Sequence, residues 1–124
     1  KAGCVASEFD IMEESGLSPA EFNGIAALEP NEKISGSAVS RKMNLSPSRA
    51  SRVVDKMVKN GYLLREIDAG DRRKCNISLA DKGARVKKRI KQIRSRCEKR
   101  IRDQLSEKEI ASFSDTLERI IEIM

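Results

Sequence analysis

Along most of the chain, apolar residues recur at intervals of three and four, which is the spacing of one face of an α-helix. Ser-Pro pairs, asparagines and glycines divide this pattern into six predicted helices. They cover residues 2–15, residues 19 to Pro30, about 35–43, residues 47 to the Asn60–Gly61 pair, about 81–105, and 107–124. Ser18 and Ser106 each precede a glutamate by three residues, so both predict a capping box at a helix start.

Between the fourth and fifth helices the period changes from 3.6 to two. Residues 62–67 and 74–79 flank the turn-forming sequence Asp68-Ala69-Gly70-Asp71, and this arrangement predicts a β-hairpin. In this pattern Cys75, Ile77 and Leu79 point inward. The predicted order is four helices, a hairpin and two helices, and a length of 124 residues indicates one domain.

The third and fourth helices, joined at Asn44, predict a helix-turn-helix. The outer face of the fourth helix carries hydroxyls and cations, which suit base edges and phosphates. The candidate DNA-contacting residues of this helix are Ser46, Ser48, Arg49, Ser51, Arg52 and Lys56. Asp55 lies three residues after Arg52 and four before Lys59, so we expect it to orient them rather than touch DNA. The alternative is a solvated helix face with intrahelical ion pairs.

Charge is strongly segregated within the net charge of +6. Residues 1–32 have one basic and seven acidic side chains, residues 33–102 have 22 and six, and residues 103–124 have two and six. A basic middle between acidic ends indicates a surface that faces a polyanion. Arg72, Arg73 and Lys74 lie at the hairpin tip, where guanidinium groups suit a narrow minor groove.

Asp71 cannot face phosphate favourably, because both carry negative charge. We expect it instead to hold an arginine in place, by pairing with Arg65 or with its neighbours Arg72 and Arg73. Arg65 and Asp71 are therefore candidate residues for positioning the hairpin.

The stretch SPSRASRVVDKMVKNGYLLREIDAGDRRKCNISLADKG resembles the core of the multiple-antibiotic-resistance regulator (MarR) family. The residues in register with the family pattern are Gly61, Arg65, Asp71, Arg72, Arg73, Leu79 and Gly83. The resemblance implies a mainly α fold with a small β-hairpin wing, in which residues 17–80 form a winged helix-turn-helix lobe. Residues 1–16 and 81–124 would be dimerisation helices. Ala80 stands where the family usually has a capping threonine, so Ser78 or Asp81 would have to replace that cap.

The family resemblance implies a homodimeric repressor of transcription that binds double-stranded DNA at a pseudo-palindromic operator. It also implies release by a small anionic or phenolic ligand or by an oxidant, which makes Cys4 a candidate redox residue. Cys97 lies on the apolar stripe of its helix, so we interpret it as a core residue.

Histidine is absent, and the three cysteines are far apart. These features argue against a metal site, a cofactor, a disulfide framework and an enzyme with a Ser-His or Cys-His pair. No apolar run reaches the roughly 18 residues of a membrane span, and no secretory signal is visible, so we expect a cytoplasmic protein. The chain begins at Lys1 rather than Met, and residues before Lys1 cannot be judged.

A second interpretation concerns the basic segment 84–102. As an amphipathic helix it would bind an anionic membrane or an acidic protein partner. The apolar stripe of the same segment would instead belong to a folded core if the first interpretation holds.

Overall fold

The computed structural model describes residues 3–124, without the side chain of Val5. It contains nine elements: α1 (Cys4–Ser15), α2 (Pro19–Ala27), β1 (Ile34–Ser35), α3 (Gly36–Met43), α4 (Pro47–Lys59), β2 (Leu63–Ile67), β3 (Cys75–Leu79), α5 (Asp81–Gln104) and α6 (Glu107–Ile123). The mainly α class with a hairpin is confirmed. Ala2, part of the first predicted helix, lies outside the described residues. Among residues 3–124, no helix is long and apolar enough to cross a bilayer.

Local sequence signals set most helix ends. Ser18 and Glu21 form a complete capping box at α2, and Ser106 and Glu109 form one at α6. The hydroxyl of Ser46 accepts the Arg49 amide at the start of α4. These caps use side-chain oxygens to satisfy amides that have no partner within the helix. At the end of α3, Asn44 adopts the left-handed conformation with φ of 53°.

The hairpin belongs to a three-stranded antiparallel sheet with strand order β1-β3-β2. The sequence predicted β2 and β3 but not β1, whose two residues are too few to show alternation. Ile34 of β1 lies opposite Ile77 of β3, and Ile67 of β2 lies opposite Cys75. Because β1 leads directly into α3, the sheet joins the wing to the helix-turn-helix.

The core is formed by the helix-turn-helix, the sheet, α1, α2 and the first half of α5. Its largest fully buried side chains are Ile11, Ile25, Leu28, Met57, Leu63 and Ile90. Phe9, an apolar position of the first helical pattern, is exposed, because Ile11 takes the inward place on α1. The predicted stripe of α5 is buried only at its start, since Ile101 and Leu105 are exposed.

The start of α5 packs closely against the residue before β2. The Ala80 amide donates a 3.0 Å hydrogen bond to the Tyr62 carbonyl oxygen. A Cβ built on Gly83 would lie 2.1 Å from the same oxygen, so only glycine fits there. No side chain of the described residues caps α5. Neither Ser78 nor Asp81 therefore replaces the missing threonine, and the backbone contact to Tyr62 anchors the wing base.

A buried lysine connects α5 to the end of α2. The Lys87 side chain is 5% exposed, donates to the Ala26 carbonyl oxygen and lies 3.4 Å from Glu29. The Lys91 ammonium lies 2.7 Å from the other Glu29 oxygen. Its hydrogen bond, followed by the charge of Lys87, lowers the pKa of Glu29. Because the folded state has the lower pKa, this stabilisation is complete above the ordinary glutamate range and is lost as the pH falls through the folded value.

We expect Lys87→Ala to lower the free energy of unfolding by about 1–3 kcal/mol, because the Ala26 carbonyl loses its donor in a buried setting. Urea unfolding followed by circular dichroism measures this difference. The matched control is Lys88→Ala, an exposed lysine on the next position, for which we expect a change within about 0.5 kcal/mol. Equal losses in both variants would contradict the structural role of Lys87.

The sequence argued against a disulfide framework, yet two of the three cysteines are bonded to each other. Cys4 and Cys97 form a disulfide, with Cα atoms 6.0 Å apart and a sequence separation of 93. Cys97 is therefore bonded rather than a simple core residue. Cys75 remains a free, half-buried thiol on the inner side of β3.

Candidate nucleic-acid interface

The outer face of α4 presents the predicted DNA-contacting residues to solvent. The six exposed side chains are Ser46, Ser48, Arg49, Ser51, Arg52 and Lys56. The buried face of the same helix holds Ala50, Val54 and Met57 against the core. This division of the helix keeps its orientation fixed while the guanidinium groups of Arg49 and Arg52 remain exposed to a ligand.

The turn before α4 is rigid. The Ser40 hydroxyl, itself buried, donates a 2.8 Å hydrogen bond to the Leu45 carbonyl oxygen. The Leu45 amide in turn donates to the Ser40 carbonyl oxygen. These reciprocal bonds fix the angle between α3 and α4, so the start of α4 projects with a defined direction.

Lys56 is exposed but has an acidic neighbour on α2. Its ammonium lies 3.7 Å from a carboxylate oxygen of Glu21, a side chain that is 4% exposed. The same Glu21 oxygen accepts the Ser18 amide in the α2 capping box. Lys56 therefore balances a buried carboxylate, and less of its charge is available to DNA than that of Arg49 or Arg52.

An ion pair links α4 to the wing. Arg65 of β2 donates a 2.5 Å hydrogen bond to the carboxylate of Asp55 on α4. The partner of Arg65 is thus Asp55, so the first of the two pairings expected for Asp71, with Arg65 or with its neighbours Arg72 and Arg73, is not the one formed. Asp55 likewise faces the wing instead of orienting Arg52 and Lys59 along its own helix. The pair holds the wing at a set position beside α4.

Asp71 orders the backbone of the wing tip. Its carboxylate accepts the Arg73 amide at 3.0 Å, and its carbonyl oxygen accepts the Lys74 amide at 3.0 Å. The Lys74 carbonyl oxygen accepts the Asp68 amide, which closes the tip. Asp71 therefore contacts its neighbour Arg73 through the backbone and leaves the guanidinium group in solvent. Arg72, Arg73 and Lys74 are all exposed.

The α4 helix and the wing enclose a cavity of about 500 Å³. Its polar lining includes Ser51 of α4 with Arg65, Arg73 and Lys74 of the wing. Two groups of predicted residues, far apart in sequence, therefore meet on one surface. Arg72, the other predicted cation of the wing tip, does not line this cavity.

Two α3 residues missed by the sequence analysis lie near the start of α4. Ser37 and Arg41 line a groove of about 400 Å³ together with Asn44 and Pro47. In helix-turn-helix proteins the first helix crosses the DNA backbone, so exposed polar groups there are suited to phosphates. Helical periodicity could have indicated both residues, because they lie on the outer side of α3, the first helix of the helix-turn-helix.

We expect Asp55→Ala to destabilise the fold by about 1 kcal/mol or less, since the Asp55–Arg65 pair is partly exposed. Loss of the pair leaves the wing free to move relative to α4. The loss in free energy of DNA binding should therefore exceed the loss in free energy of unfolding. A double-mutant cycle with Arg65→Ala, measured by urea unfolding and by DNA titration, separates the two effects. Additive effects of the two substitutions on DNA affinity would contradict this coupling.

The basic helix that could serve as a membrane or partner module makes internal contacts along part of its length. Its N-terminal apolar residues Val86 and Ile90 are buried in the core. Several of its cations pair with acidic residues of α1 and the α2–β1 connection: Arg94 with Glu8, Arg89 with Glu14, and Lys87 and Lys91 with Glu29. Fewer cations and apolar side chains of this helix therefore remain to bind a membrane or an acidic protein, and that interpretation stays a prediction.

A capped helix-turn-helix followed by a basic hairpin in a three-stranded sheet defines a winged helix-turn-helix protein. The sequence model described as the MarR family matches residues 15–74, which include α2, α3, α4, β2 and the wing tip. The chain is therefore similar to the MarR family over this segment.

Two curated relatives come from Bacillus subtilis strain 168. The HTH-type transcriptional repressor MdtR is 28% identical over 72 residues, which is 58% of this chain and 46% of MdtR. The HTH-type transcriptional regulator YsmB is 27% identical over 114 residues, which is 90% of this chain and 76% of YsmB. The chain thus spans about half the length of MdtR and about three quarters of YsmB. Both relatives are named as regulators of transcription.

The fold is shared with solved winged-helix regulators. The structure of Streptococcus pneumoniae FabT in complex with DNA has a TM-score of 0.79, with 21% sequence identity, and the alignment covers 93% of this chain and 84% of FabT. At this level of identity the likeness establishes the fold alone.

Proposed function

We propose that the protein is a homodimeric, cytoplasmic repressor of transcription that binds double-stranded DNA in a sequence-specific manner. The observation that carries this proposal is the junction of α4 and the wing, where the exposed Ser51 lies beside Arg73 and Lys74. No enzymatic activity is part of the proposal. The relative MdtR is named as a repressor, which supports repression rather than activation of transcription. The structure of FabT in complex with DNA supports DNA as the ligand.

In this proposal α4 enters the major groove, where Arg52 and Arg49 can each donate two hydrogen bonds to guanine. The hydroxyls of Ser46, Ser48 and Ser51 serve bases or phosphates. The wing tip places Arg72 and Arg73 toward the adjacent minor groove, whose negative potential attracts guanidinium groups. Arg65 and Asp71 act as positioning residues, the first through Asp55 and the second through the tip backbone.

The dimer rests on α6 and the end of α5. No residue of α6, which the structure describes in full, is buried, although its stripe includes Phe113, Leu117 and Ile120. A helix of 17 residues with so many exposed apolar groups needs a second surface, because isolated helices of this length are marginal in water. We assign residues 17–80 to the DNA-binding lobe, and 1–16 and 81–124 to dimerisation. Two lobes related by a two-fold axis read successive major grooves about 34 Å apart, so the operator is pseudo-palindromic.

Release from DNA is assigned to a small anionic or phenolic ligand or to an oxidant. The cavity between α4 and the wing supports the first route, because Arg65, Arg73 and Lys74 supply cations around a space of about 500 Å³. An anion held there occupies the surface that the DNA backbone needs. The second route involves Cys4.

The test is selection of bound duplexes from a random DNA pool, followed by titration of the selected site. We expect a pseudo-palindromic site. Arg52→Ala should weaken binding by about 5- to 150-fold and relax sequence preference, whereas Arg72→Ala and Arg73→Ala should weaken binding to all sequences and reduce the salt dependence. The control is Arg119→Ala on α6, which removes an exposed arginine far from α4 in sequence.

Equal affinity of wild type, Arg52→Ala, Arg72→Ala and Arg73→Ala for the selected site would overturn this assignment of contacts. Binding to anionic lipid vesicles that competing DNA does not reduce would favour the basic-helix module instead. Failure to enrich any sequence, with binding that depends only on salt, would leave a non-specific DNA-binding protein.

A further inference from the structure

The disulfide between Cys4 and Cys97 joins the first residue of α1 to the C-terminal half of α5. Their Cα separation of 6.0 Å lies within the ordinary range for bonded cysteines, so the backbone of the two helices already has the spacing that a bond requires. Both residues are half-buried. Both cysteines lie within the segments assigned to dimerisation, and neither is a candidate DNA-contacting residue.

The sulfur pair can be reached from solution. Two surface cavities, of about 360 and 160 Å³, are each lined by both Cys4 and Cys97. Arg96 and Arg100 also line the smaller cavity, so its surroundings attract an anion. A small disulfide that carries carboxylate groups therefore fits this approach better than a neutral one.

The role of this disulfide depends on where the protein works, so this inference rests on the proposed function. A repressor works where the chromosome is, in a compartment that keeps thiols reduced. Disulfides that form there are mostly transient and sense or carry redox state. We propose that Cys4 and Cys97 form a reversible disulfide, made by exchange with an anionic low-molecular-weight disulfide, that fastens α1 to α5.

The exchange proceeds in two balanced steps. The thiolate of one cysteine attacks a sulfur of the small disulfide, a mixed disulfide forms, and one small thiolate leaves. The other cysteine, as its thiolate, attacks the protein sulfur of the mixed disulfide, and the second small thiolate leaves. Two protein thiols lose two electrons, the small disulfide gains them, and the two protons pass to solvent or to the released thiolates.

The bond acts on the first turns of α1. Without it, α1 is held to α5 by the Glu8–Arg94 contact at 2.7 Å, by the Glu14–Arg89 contact at 2.9 Å and by the buried Ile11. Both ion pairs are partly exposed, and exposed pairs contribute little. The N-terminal end of α1 therefore depends on the disulfide, while its C-terminal end is held by packing.

The experiment exposes the full chain to buffers of oxidised and reduced glutathione over a range of ratios, then alkylates free thiols and measures mass. We expect the number of alkylated thiols to fall from three to one in a single transition, with a peptide map that links Cys4 to Cys97 within one chain. Reduction should lower the melting temperature by roughly 5–15 °C and speed amide exchange in the N-terminal half of α1.

Three serine variants supply the controls. Cys75→Ser should keep the transition, while Cys4→Ser and Cys97→Ser should lose both the crosslink and the redox dependence of melting. Crosslinks between chains, stable glutathione adducts on both cysteines without a crosslink, or a wild-type chain that keeps three free thiols in oxidising buffer would overturn the proposal. None of these measurements uses DNA, so a failure here is distinct from a failure of operator binding.

Discussion

Leu117→Asp is expected to be a monomer at micromolar concentration and to bind the selected operator at least about 100-fold more weakly, because linked half-site binding is lost. Leu117 lies in the exposed apolar stripe of α6. A carboxylate buried there in a dimer would lose its hydration without gaining a partner, which is costly. The fold of each chain should persist, because α6 buries no residue within its own chain.

Analytical ultracentrifugation gives the mass, and fluorescence anisotropy gives the operator affinity. The matched control is Ser112→Asp, which adds the same charge to α6 about 140° round the helix from Leu117. It should remain dimeric and bind the operator as wild type does. A Leu117→Asp protein that stays dimeric would show that the stripe of α6 is not the subunit interface.

Gly83→Ala is expected to lower the free energy of unfolding by about 3 kcal/mol, at the upper end of the usual cost of overpacking. The added Cβ would lie 2.1 Å from the Tyr62 carbonyl oxygen, which also accepts the Ala80 amide. To relieve this clash, α5 has to move away from Tyr62. The movement weakens the hydrogen bond from the Ala80 amide to the Tyr62 carbonyl oxygen. Because α5 also carries the base of the wing, DNA affinity should fall as well.

Thermal and urea unfolding measure the loss of stability. Gly36→Ala is the control, because a Cβ at Gly36 meets no atom of the described residues within 4 Å and the position lies in the first turn of α3. Gly36→Ala should leave the free energy of unfolding unchanged or raise it by up to about 1 kcal/mol, because alanine lowers the conformational entropy of the unfolded chain. Equal stability of Gly83→Ala and wild type would show that α5 tolerates a shift at this contact.

Much of the fold could be read from local signals, because the groups involved are neighbours in sequence. The capping box of Ser18 and Glu21, the left-handed turn at Asn44 and the start of α4 at Ser46 each depend on residues within three or four positions. The exposed face of α4 followed from helical periodicity alone. The hairpin followed from alternation on either side of a turn sequence.

The contacts that the sequence analysis missed or misassigned all join distant segments. β1 is a strand only because Ile34 and Ser35 pair with β3, more than 40 residues later. Asp71 was one expected partner of Arg65, and the packing of β2 against α4 pairs Arg65 with Asp55 instead. In the sequence, Lys87 is indistinguishable from the many surface cations around it. In the structure it is buried against the end of α2.

The sequence by itself determined the helix order, the caps, the exposed hydroxyls and cations of α4, and the basic wing tip, since these depend on short-range chemistry and periodicity. The tertiary structure decided which charges are paired, why residue 83 must be glycine, and that Cys4 meets Cys97 across 93 residues. Such pairings depend on how α1, α4 and the wing pack against α5 and each other. Many partners are compatible with the spacing of residues along a chain, and only the three-dimensional packing of the elements selects one.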